Sequence, residues 1–322
     1  MIPSPILKSL RWQGGVPDTD QVRIRIPLHL LQESSHRATR RGCNKRLPNP
    51  ETGESLLKPW VDTWKNRLLA SPGFVLLASD DQAKDEELRK VYARVTRSLG
   101  HLNSRYGDFF DVRDRGLDHR KASIPVSKTN ADTGFHTDSS ARDYCPHVVG
   151  LLCLQPAEQG GESLLANAAD LHAWLQRYHP ATLPALCKPI HRDIITPGNQ
   201  THPKAVRNNS FPILKFDQQG LHFRYMRYWI VTAYQKLGRP LPTGLGDAMD
   251  HVDRFLSDSG KCFSTHLRRG EILLVNNRFL CHSRTAFVDS PEESKKRRLV
   301  RTWIDDVNPS PRQALVNRHT SV

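Results

Sequence analysis

Residues 148–165 read VVGLLCLQPAEQGGESLL. The first seven form an uninterrupted apolar run of strand length, closed by Pro156 and the Gly160-Gly161 pair. A run this short, bounded by turn residues, predicts a strand buried on both faces. Ser163-Leu164-Leu165 follows the glycines and predicts a second strand, paired with the first as a hairpin. Working outward, strands are predicted at 271–275 (EILLV), at 299–304 (LVRTWI), around 211–216 and at 221–225, with an edge strand at 22–27 (VRIRIP).

Helices are fewer. From Asp80 or Asp81, either of which can serve as N-cap, the stretch DDQAKDEELRKVYARVTRSL places Leu88, Val91, Val95 and Leu99 at spacings of three and four before Gly100 stops it. Two further helices are predicted over 169–178, ended by Pro180, and over 246–257. Many short strands with two or three helices point to a mainly β fold with flanking helices, a sandwich or jelly roll. One domain is expected over residues 1–305, with its jelly-roll core at about 130–305. Residues 306–322, which carry Pro309 and Pro311 and lack apolar periodicity, read as a tail.

Composition narrows the function classes. No stretch approaches the roughly 18 apolar residues of a membrane span, and the start, with Lys8 and Arg11, lacks the apolar core of a secretory signal. A cytoplasmic location is therefore expected, with no membrane partner. The six cysteines form no Cys-x-x-Cys pair, which argues for free thiols and against a zinc ribbon. The net charge of +14 draws on clusters at Arg37, Arg40, Arg41, Lys45 and Arg46 and at Lys295 to Arg298. Neither cluster sits on a helix-turn-helix, finger or basic-zipper frame. A solvated basic surface ranks first, attraction of an anionic small substrate second, and nucleic-acid binding last.

The chemistry begins with His-x-Asp. Two imidazoles and one carboxylate on one face of a metal leave three positions open for other ligands. Three such frames occur: His136-Thr137-Asp138, His191-Arg192-Asp193 and His251-Val252-Asp253. The third falls on a predicted helix, where residues two apart point away from each other. The second lies in a charged, proline-flanked segment and ranks well behind the first. His136 lies a dozen residues before the buried strand, so both its frame's ligands can sit at the mouth of a barrel. His282 follows the strand at 271–275 and Asn276-Asn277-Arg278. Ser163 follows the glycine turn, and Arg297, Arg298 and Arg301 come on or just before the last strand.

The segments GFHTDSS, LLCLQPAEQGGES, RRGEILLVNNRFLCHSRTAF and RRLVRTWI, spanning about 130–170 and 265–305, resemble the taurine dioxygenase and clavaminate synthase-like superfamily of 2-oxoglutarate oxygenases. The resemblance implies a double-stranded β-helix, the cupin-like jelly roll, with iron(II) held by His136, Asp138 and His282. It implies that Arg297 or Arg298, with Ser163, binds the far carboxylate of the cosubstrate 2-oxoglutarate. A planar guanidinium suits that task because it pairs a carboxylate through two parallel hydrogen bonds. The family's second arginine, four residues on, favours Arg297 with Arg301 as companion on the same strand face.

The implied reaction consumes O2 and 2-oxoglutarate, releases succinate and CO2, and hydroxylates an unactivated C–H bond; desaturation or cyclisation is the alternative outcome. Asp138 argues against halogenation, for which the family carries a small residue at that position. The expected substrate is a small anionic or zwitterionic molecule, an amino acid or related carboxylate, met by Arg301, Arg142 and Asp143. Arg227 and Tyr228 are further pocket candidates, and Asn277, Arg278 and Thr137 are candidates to orient the ligands. Segments 107–130 and 190–210 are long enough for lids. The competing readings from other classes are a metal-free jelly-roll binding module and a basic nucleic-acid-binding protein.

Overall fold

The computed structural model describes residues 4–26, 51–79, 81–116, 129–194, 203–217 and 220–308. Its strands, in chain order, are β1 (Arg23–Arg25), β2 (Phe74–Ala78), β3 (His101–Leu102), β4 (Phe110–Val112), β5 (Val148–Gln155), β6 (Gln159–Gly160), β7 (Ser163–Asn167) and β8 (Ile190–His191). There follow β9 (Ser210–Phe211), β10 (Leu214–Asp217), β11 (Gly220–Phe223), β12 (Cys262–Thr265), β13 (Glu271–Asn276), β14 (Leu280–Arg284), β15 (Phe287–Val288) and β16 (Arg298–Asp305). A major sheet runs β1-β2-β13-β5-β16-β3, with β4 also on β16. Facing it is a minor sheet, β12-β7-β14. Two facing sheets with flanking helices make the mainly β jelly roll that the sequence implies.

The apolar run at 148–154 is β5, flanked by β13 and β16 in the major sheet. Its two faces feed two cores. Cys153 packs with Leu273, Val275 and Leu299 between the sheets. Val148, Leu152 and Leu154 pack with Leu274, Val300 and Ile304 under the helices Glu51–Leu69 and Asp85–Leu99. Burying each such side chain contributes about 1.5–3 kcal/mol, and a strand covered on both sides needs no polar face.

Several expectations are corrected. β5 and β7 do not form a hairpin: after the glycine turn the chain crosses from the major to the minor sheet, where β7 pairs β12 and β14. Gly160 (φ +70°) and Gly161 (φ +77°) permit that crossing, and a Cβ on Gly160 would lie 2.2 Å from the carbonyl oxygen of Ala286. The first helix begins at Asp85, not at 80 or 81, because Glu87 reaches back to the backbone N–H of Lys84 and Asp85, Glu86 and Glu87 line its first turn. The helix Arg227–Leu237 and the strands β2, β12 and β14 add to the elements expected. The edge strand is shorter than expected, β1 at Arg23–Arg25, and pairs β2 in parallel.

No helix among the described residues is long and apolar enough to cross a membrane. Asp80, the basic cluster at 37–46, the segments 117–128 and 195–202 within the expected lids, and residues 309–322 of the expected tail lie outside the described residues.

Candidate metal centre and its arginine pocket

His136 lies between β4 and β5 of the major sheet in sequence yet sits against the minor sheet. Its N–H donates to the carbonyl of His282 (2.9 Å), and its carbonyl accepts the reciprocal bond from the His282 N–H (2.8 Å), an isolated antiparallel bridge that fixes the two backbones. The imidazole centroids stand 4.5 Å apart. Asp138 arrives two residues later, after which the chain turns through a left-handed conformation at Ser139 (φ 61°), a costly geometry for a non-glycine residue and one that recurs at functional sites. Asn277, fully buried, clamps the loop: its Oδ1 accepts from the Asp138 N–H (2.8 Å) and its Nδ2 donates to the carbonyls of Asp138 (3.1 Å) and Pro146 (3.2 Å).

The side chains converge. His136 Nε2 and His282 Nε2 lie 3.7 and 3.5 Å from Asp138 Oδ1, and the ligand atoms of the three residues all fall within 4.8 Å of one another. Donors each about 2.1 Å from one ion sit roughly 3–4 Å apart, so these residues can hold a metal. The His136 Nδ1 is 2.9 Å from the carbonyl oxygen of Gly134, a contact that places the proton on Nδ1 and leaves Nε2 as the donor atom. The trio is the two-histidine, one-carboxylate set suited to iron(II) with open positions.

Asp138 is nearly excluded from solvent, which raises its pKa, yet the Arg301 guanidinium and the hydrogen bonds from His136 and His282 prevail and hold it well below the usual carboxylate range. Burial and the neighbouring His136 push His282 down, keeping it in the neutral form a metal requires. Arg301 Nη1 stands 3.3 Å from Asp138 Oδ2, and Trp303 Nε1 donates to the same oxygen at 2.6 Å. Beside them a shallow cleft is lined by Phe110, Tyr106, Arg301 and Trp303.

The neighbouring arginines diverge. Arg297 is 5 % exposed, lies against Phe287 with its Cζ 5.0 Å from the ring centroid, and keeps Nη1 buried with no hydrogen-bond partner among the described residues. A Cβ on Gly161 would meet its Nε at 3.3 Å, so the glycine turn is what lets the guanidinium in. Ser163, buried on β7, follows that turn by two residues. Arg298 points to the helix-covered side and pairs with Asp85, so of the two alternatives only Arg297 enters the interior. Arg284, on β14 two residues past His282, also lies against Phe287 (4.7 Å) and donates to the carbonyls of Thr129 (2.8 Å) and Ala131. Burial and the Arg297 charge bring it down to about 10.

Other candidates lie elsewhere. Arg142 offers its carbonyl to Arg224, and Asp143, on the rim of a separate cleft with Arg224, lies 3.9 Å from that guanidinium. Arg227 pairs with Asp250 and Asp253, both at 2.7 Å, and Tyr228 is exposed. Of the ligand-orienting candidates, Asn277 touches Asp138, Thr137 Oγ1 accepts from the Tyr225 N–H (3.2 Å), and Arg278 faces the separate cleft.

The competing His-x-Asp frames are structural. Arg192, fully buried, donates to the carbonyls of Ile190 (3.0 Å) and Arg224 (2.8 Å) while Asp193 pairs Lys236 (2.7 Å). His251 stacks on His179 at 3.8 Å, and Asp253 accepts from the Tyr225 hydroxyl (2.6 Å). Sequence reasoning missed Trp303 and Arg284. Trp303 was within reach, since it lies two positions past Arg301 on one strand and so shares its face.

The basic run at 295–298 is no bare cationic patch: Lys295 pairs Glu292 (2.5 Å), Lys296 pairs Glu293 (2.6 Å) and Arg297 is buried. Five cysteines, Cys145, Cys153, Cys187, Cys262 and Cys281, are free thiols, and Cys153 and Cys281 fill the core as apolar side chains.

Comparison with known proteins agrees with this geometry. FR-33289 synthase of Streptomyces rubellomurinus is 28% identical over 201 residues, 61% of this chain and 57% of that protein. A uridine-5'-phosphate dioxygenase from a Streptomyces species is 29% identical over 190 residues, 57% of this chain and 64% of that protein. The chain thus spans less than two thirds of the length of these relatives. Among solved structures, asparagine oxygenase in complex with Fe(II), hydroxyasparagine and succinate superposes with a TM-score of 0.63 at 16% identity, covering 88% of this chain and 93% of that one. The non-heme iron oxygenase OrfP with Fe, succinate and dihydroxy-L-Arg gives 0.58 at 14% identity, covering 82% and 83%. At such identities these two show a shared fold. The sequence profile of the taurine catabolism dioxygenase TauD, TfdA family matches residues 47–303, most of the chain, and the protein belongs to that family.

Proposed function

We propose that the chain is an iron(II)- and 2-oxoglutarate-dependent dioxygenase that hydroxylates a C–H bond of a small anionic or zwitterionic molecule. The observation that carries the reading is the pairing of a three-donor site, His136, Asp138 and His282, with a buried arginine, Arg297, whose Nη1 has no partner among the described residues. A buried cationic donor left unpaired is costly; a dicarboxylate reaching from the metal to Arg297 would satisfy it. The overall change is substrate C–H plus 2-oxoglutarate plus O2 to substrate C–OH plus succinate plus CO2.

Iron(II), when bound, supplies the redox chemistry that couples O2 and cosubstrate decarboxylation to C–H oxidation. The protein's own residues prepare the site. His282 is held neutral, His136 turns Nε2 to the site, and Asp138 is held ionised by Arg301 and oriented by Trp303 and Asn277. Arg297 receives the far carboxylate, with the Ser163 hydroxyl beside the same turn and Phe287 walling out water. Arg284 also packs against the Phe287 ring.

Substrate enters at the cleft of Phe110, Tyr106 and Trp303, where Arg301 is the cation available to a carboxylate or phosphate. Uridine-5'-phosphate, asparagine and an arginine derivative, the molecules named for the similar proteins, are all charged and small. Asp143, Arg142 and Arg227 have no part in this assignment. Free thiols throughout the described residues support a reducing, cytoplasmic setting.

The test is anaerobic titration of iron(II) and 2-oxoglutarate into apoprotein, following the weak visible charge-transfer band of the chelate. A band that His136→Ala abolishes and Arg297→Ala weakens supports the reading. A folded wild-type protein that shows no band refutes it.

A further inference from the structure

On the far side of the Asp138 loop lies a second cleft, of about 200 Å³. Arg278, Arg224, Lys215 and His222 form its polar side, and Phe211 and Tyr144 its apolar side. None of the three metal-ligand candidates lines it, nor do Arg297 and Arg301. Asn277 stands between the two: it clamps Asp138 on one side and contacts Cys145, on the cleft wall, on the other (Nδ2 to Sγ, 3.3 Å).

The cations in the cleft are incompletely paired. The Arg278 guanidinium makes no hydrogen bond or ion pair among the described residues. Arg224 turns Nη2 to the carbonyls of Ser139 (2.9 Å) and Tyr144 (2.8 Å), and its nearest carboxylate, Asp143, is 3.9 Å away and largely in solvent. Asp217 serves Lys215 (3.2 Å) and His222 (3.1 Å) at once. Behind Phe211 sits Arg192, a further buried cation, with its Cζ 4.0 Å from the ring centroid. Asp305 and Asp306 act on Arg278 only through space, Asp305 being taken up by the Tyr144 hydroxyl (2.7 Å) and Asn103 (2.9 Å), so no carboxylate among the described residues contacts the Arg278 guanidinium.

We propose that this cleft binds the phosphate group of a small phosphorylated molecule, with Arg278 as the main contact, Lys215 at the rim, and the ring of Phe211 or Tyr144 against the organic part. Phosphate fits better than a single carboxylate because a dianion answers several cations, and a guanidinium meets phosphate oxygens bidentately. The site stands apart from the metal centre and does not depend on the reaction assigned to it.

Calorimetric titration of inorganic phosphate into the full chain, without metal or 2-oxoglutarate, tests the proposal. Saturable one-to-one binding is expected. Arg278→Ala should weaken it about tenfold or more, the scale of one lost charge-assisted hydrogen bond, and Arg278→Lys should recover part of the loss. Asp217→Asn, which removes a competing carboxylate, should tighten binding, and Arg297→Ala should leave it unchanged. Thermal melts of each variant report folding. Absence of saturable binding overturns the proposal. So does binding lost in Arg297→Ala and kept in Arg278→Ala, which would move the phosphate to the cosubstrate pocket, and so does acetate binding as tightly as phosphate.

Discussion

The indole Nε1 of Trp303 donates to Asp138 Oδ2 at 2.6 Å, a short, buried bond to the carboxylate that completes the metal site. Trp303 and Arg301 alternate on β16 and reach the same oxygen, one as a neutral donor and one as a cation at 3.3 Å. Arg301 Nη1 also stands 3.5 Å from Oδ1, the oxygen that faces the two histidines. Outer partners of metal ligands typically govern affinity by about 10- to 100-fold. Trp303→Phe, which keeps a ring and removes the donor, should weaken iron(II) binding by about tenfold while leaving the fold intact. Competitive metal titration measures it; unchanged affinity would show that Arg301 alone orients the carboxylate.

Arg297 and Arg298 are adjacent in sequence and opposite in environment. Arg297→Ala should raise the Kd for 2-oxoglutarate by about 100-fold, the cost of about 3 kcal/mol for losing a bidentate charged pair in a buried pocket. Arg298→Ala breaks a half-exposed pair with Asp85, worth about 1 kcal/mol of stability or less, and should leave cosubstrate affinity unchanged. Titration of the charge-transfer band with 2-oxoglutarate separates the two. Equal losses in both variants would contradict the opposite facing of the two side chains.

The strands at 148–154 and 271–275 were legible because a sheet covered on both faces requires continuous apolar sequence, which β5 and β13 have; the strand at 299–304 was legible from Leu299, Val300, Trp303 and Ile304 around Arg301 and Thr302. β14 was not, since LCHSR carries a ligand and two polar residues on a strand that borders the site. The helix Arg227–Leu237 was hidden by its aromatic and β-branched content, which propensity assigns to strands and which packing of Ile230 and Ala233 overrides. The His136 frame stood out from its two rivals by context alone. That the His191 and His251 frames serve packing, with Asp193 and Asp253 paired to Lys236 and Arg227, could be seen only once Arg192 and the His179 stack were in place. The four-residue spacing to Arg301 already favoured Arg297 over Arg298; the β-bulge at Arg298/Leu299 is an irregularity that such spacing does not foresee.

Gly150 sits at the middle of β5 where the helix Asp85–Leu99 crosses the major sheet. A Cβ there would stand 2.7 Å from the Tyr92 hydroxyl, 3.1 Å from Thr302 Cγ2 and 3.2 Å from Leu274 Cδ2. Tyr92 is fully buried and cannot swing into solvent. Gly150→Ala should therefore cost about 1–3 kcal/mol by overpacking, seen as a lower urea midpoint at unchanged slope. Adding Tyr92→Phe removes the closest contact and should restore part of the loss; a double variant no better than the single one would place the strain in the strand itself.

His147, at the entrance to β5, is 6 % exposed, and burial, with the charges of Arg278 and His222, pushes its pKa from 6.5 down to about 3. The unfolded chain takes up a proton on this imidazole below 6.5, whereas the folded chain refuses it until about 3. Its contribution to stability is therefore complete above 6.5 and is lost as the pH falls through that window, by about 1.4 kcal/mol per unit. At about pH 5 the wild type should have lost roughly 2 kcal/mol from this group relative to about pH 7.5. His147→Gln, neutral at every pH, should lose that much less over the same interval, although it is weaker at neutral pH through altered packing. Urea denaturation of both proteins at the two pH values gives the difference directly. Parallel losses in the two proteins would assign the acid sensitivity to the other buried histidines, His172, His222 and His282, which burial also pushes down.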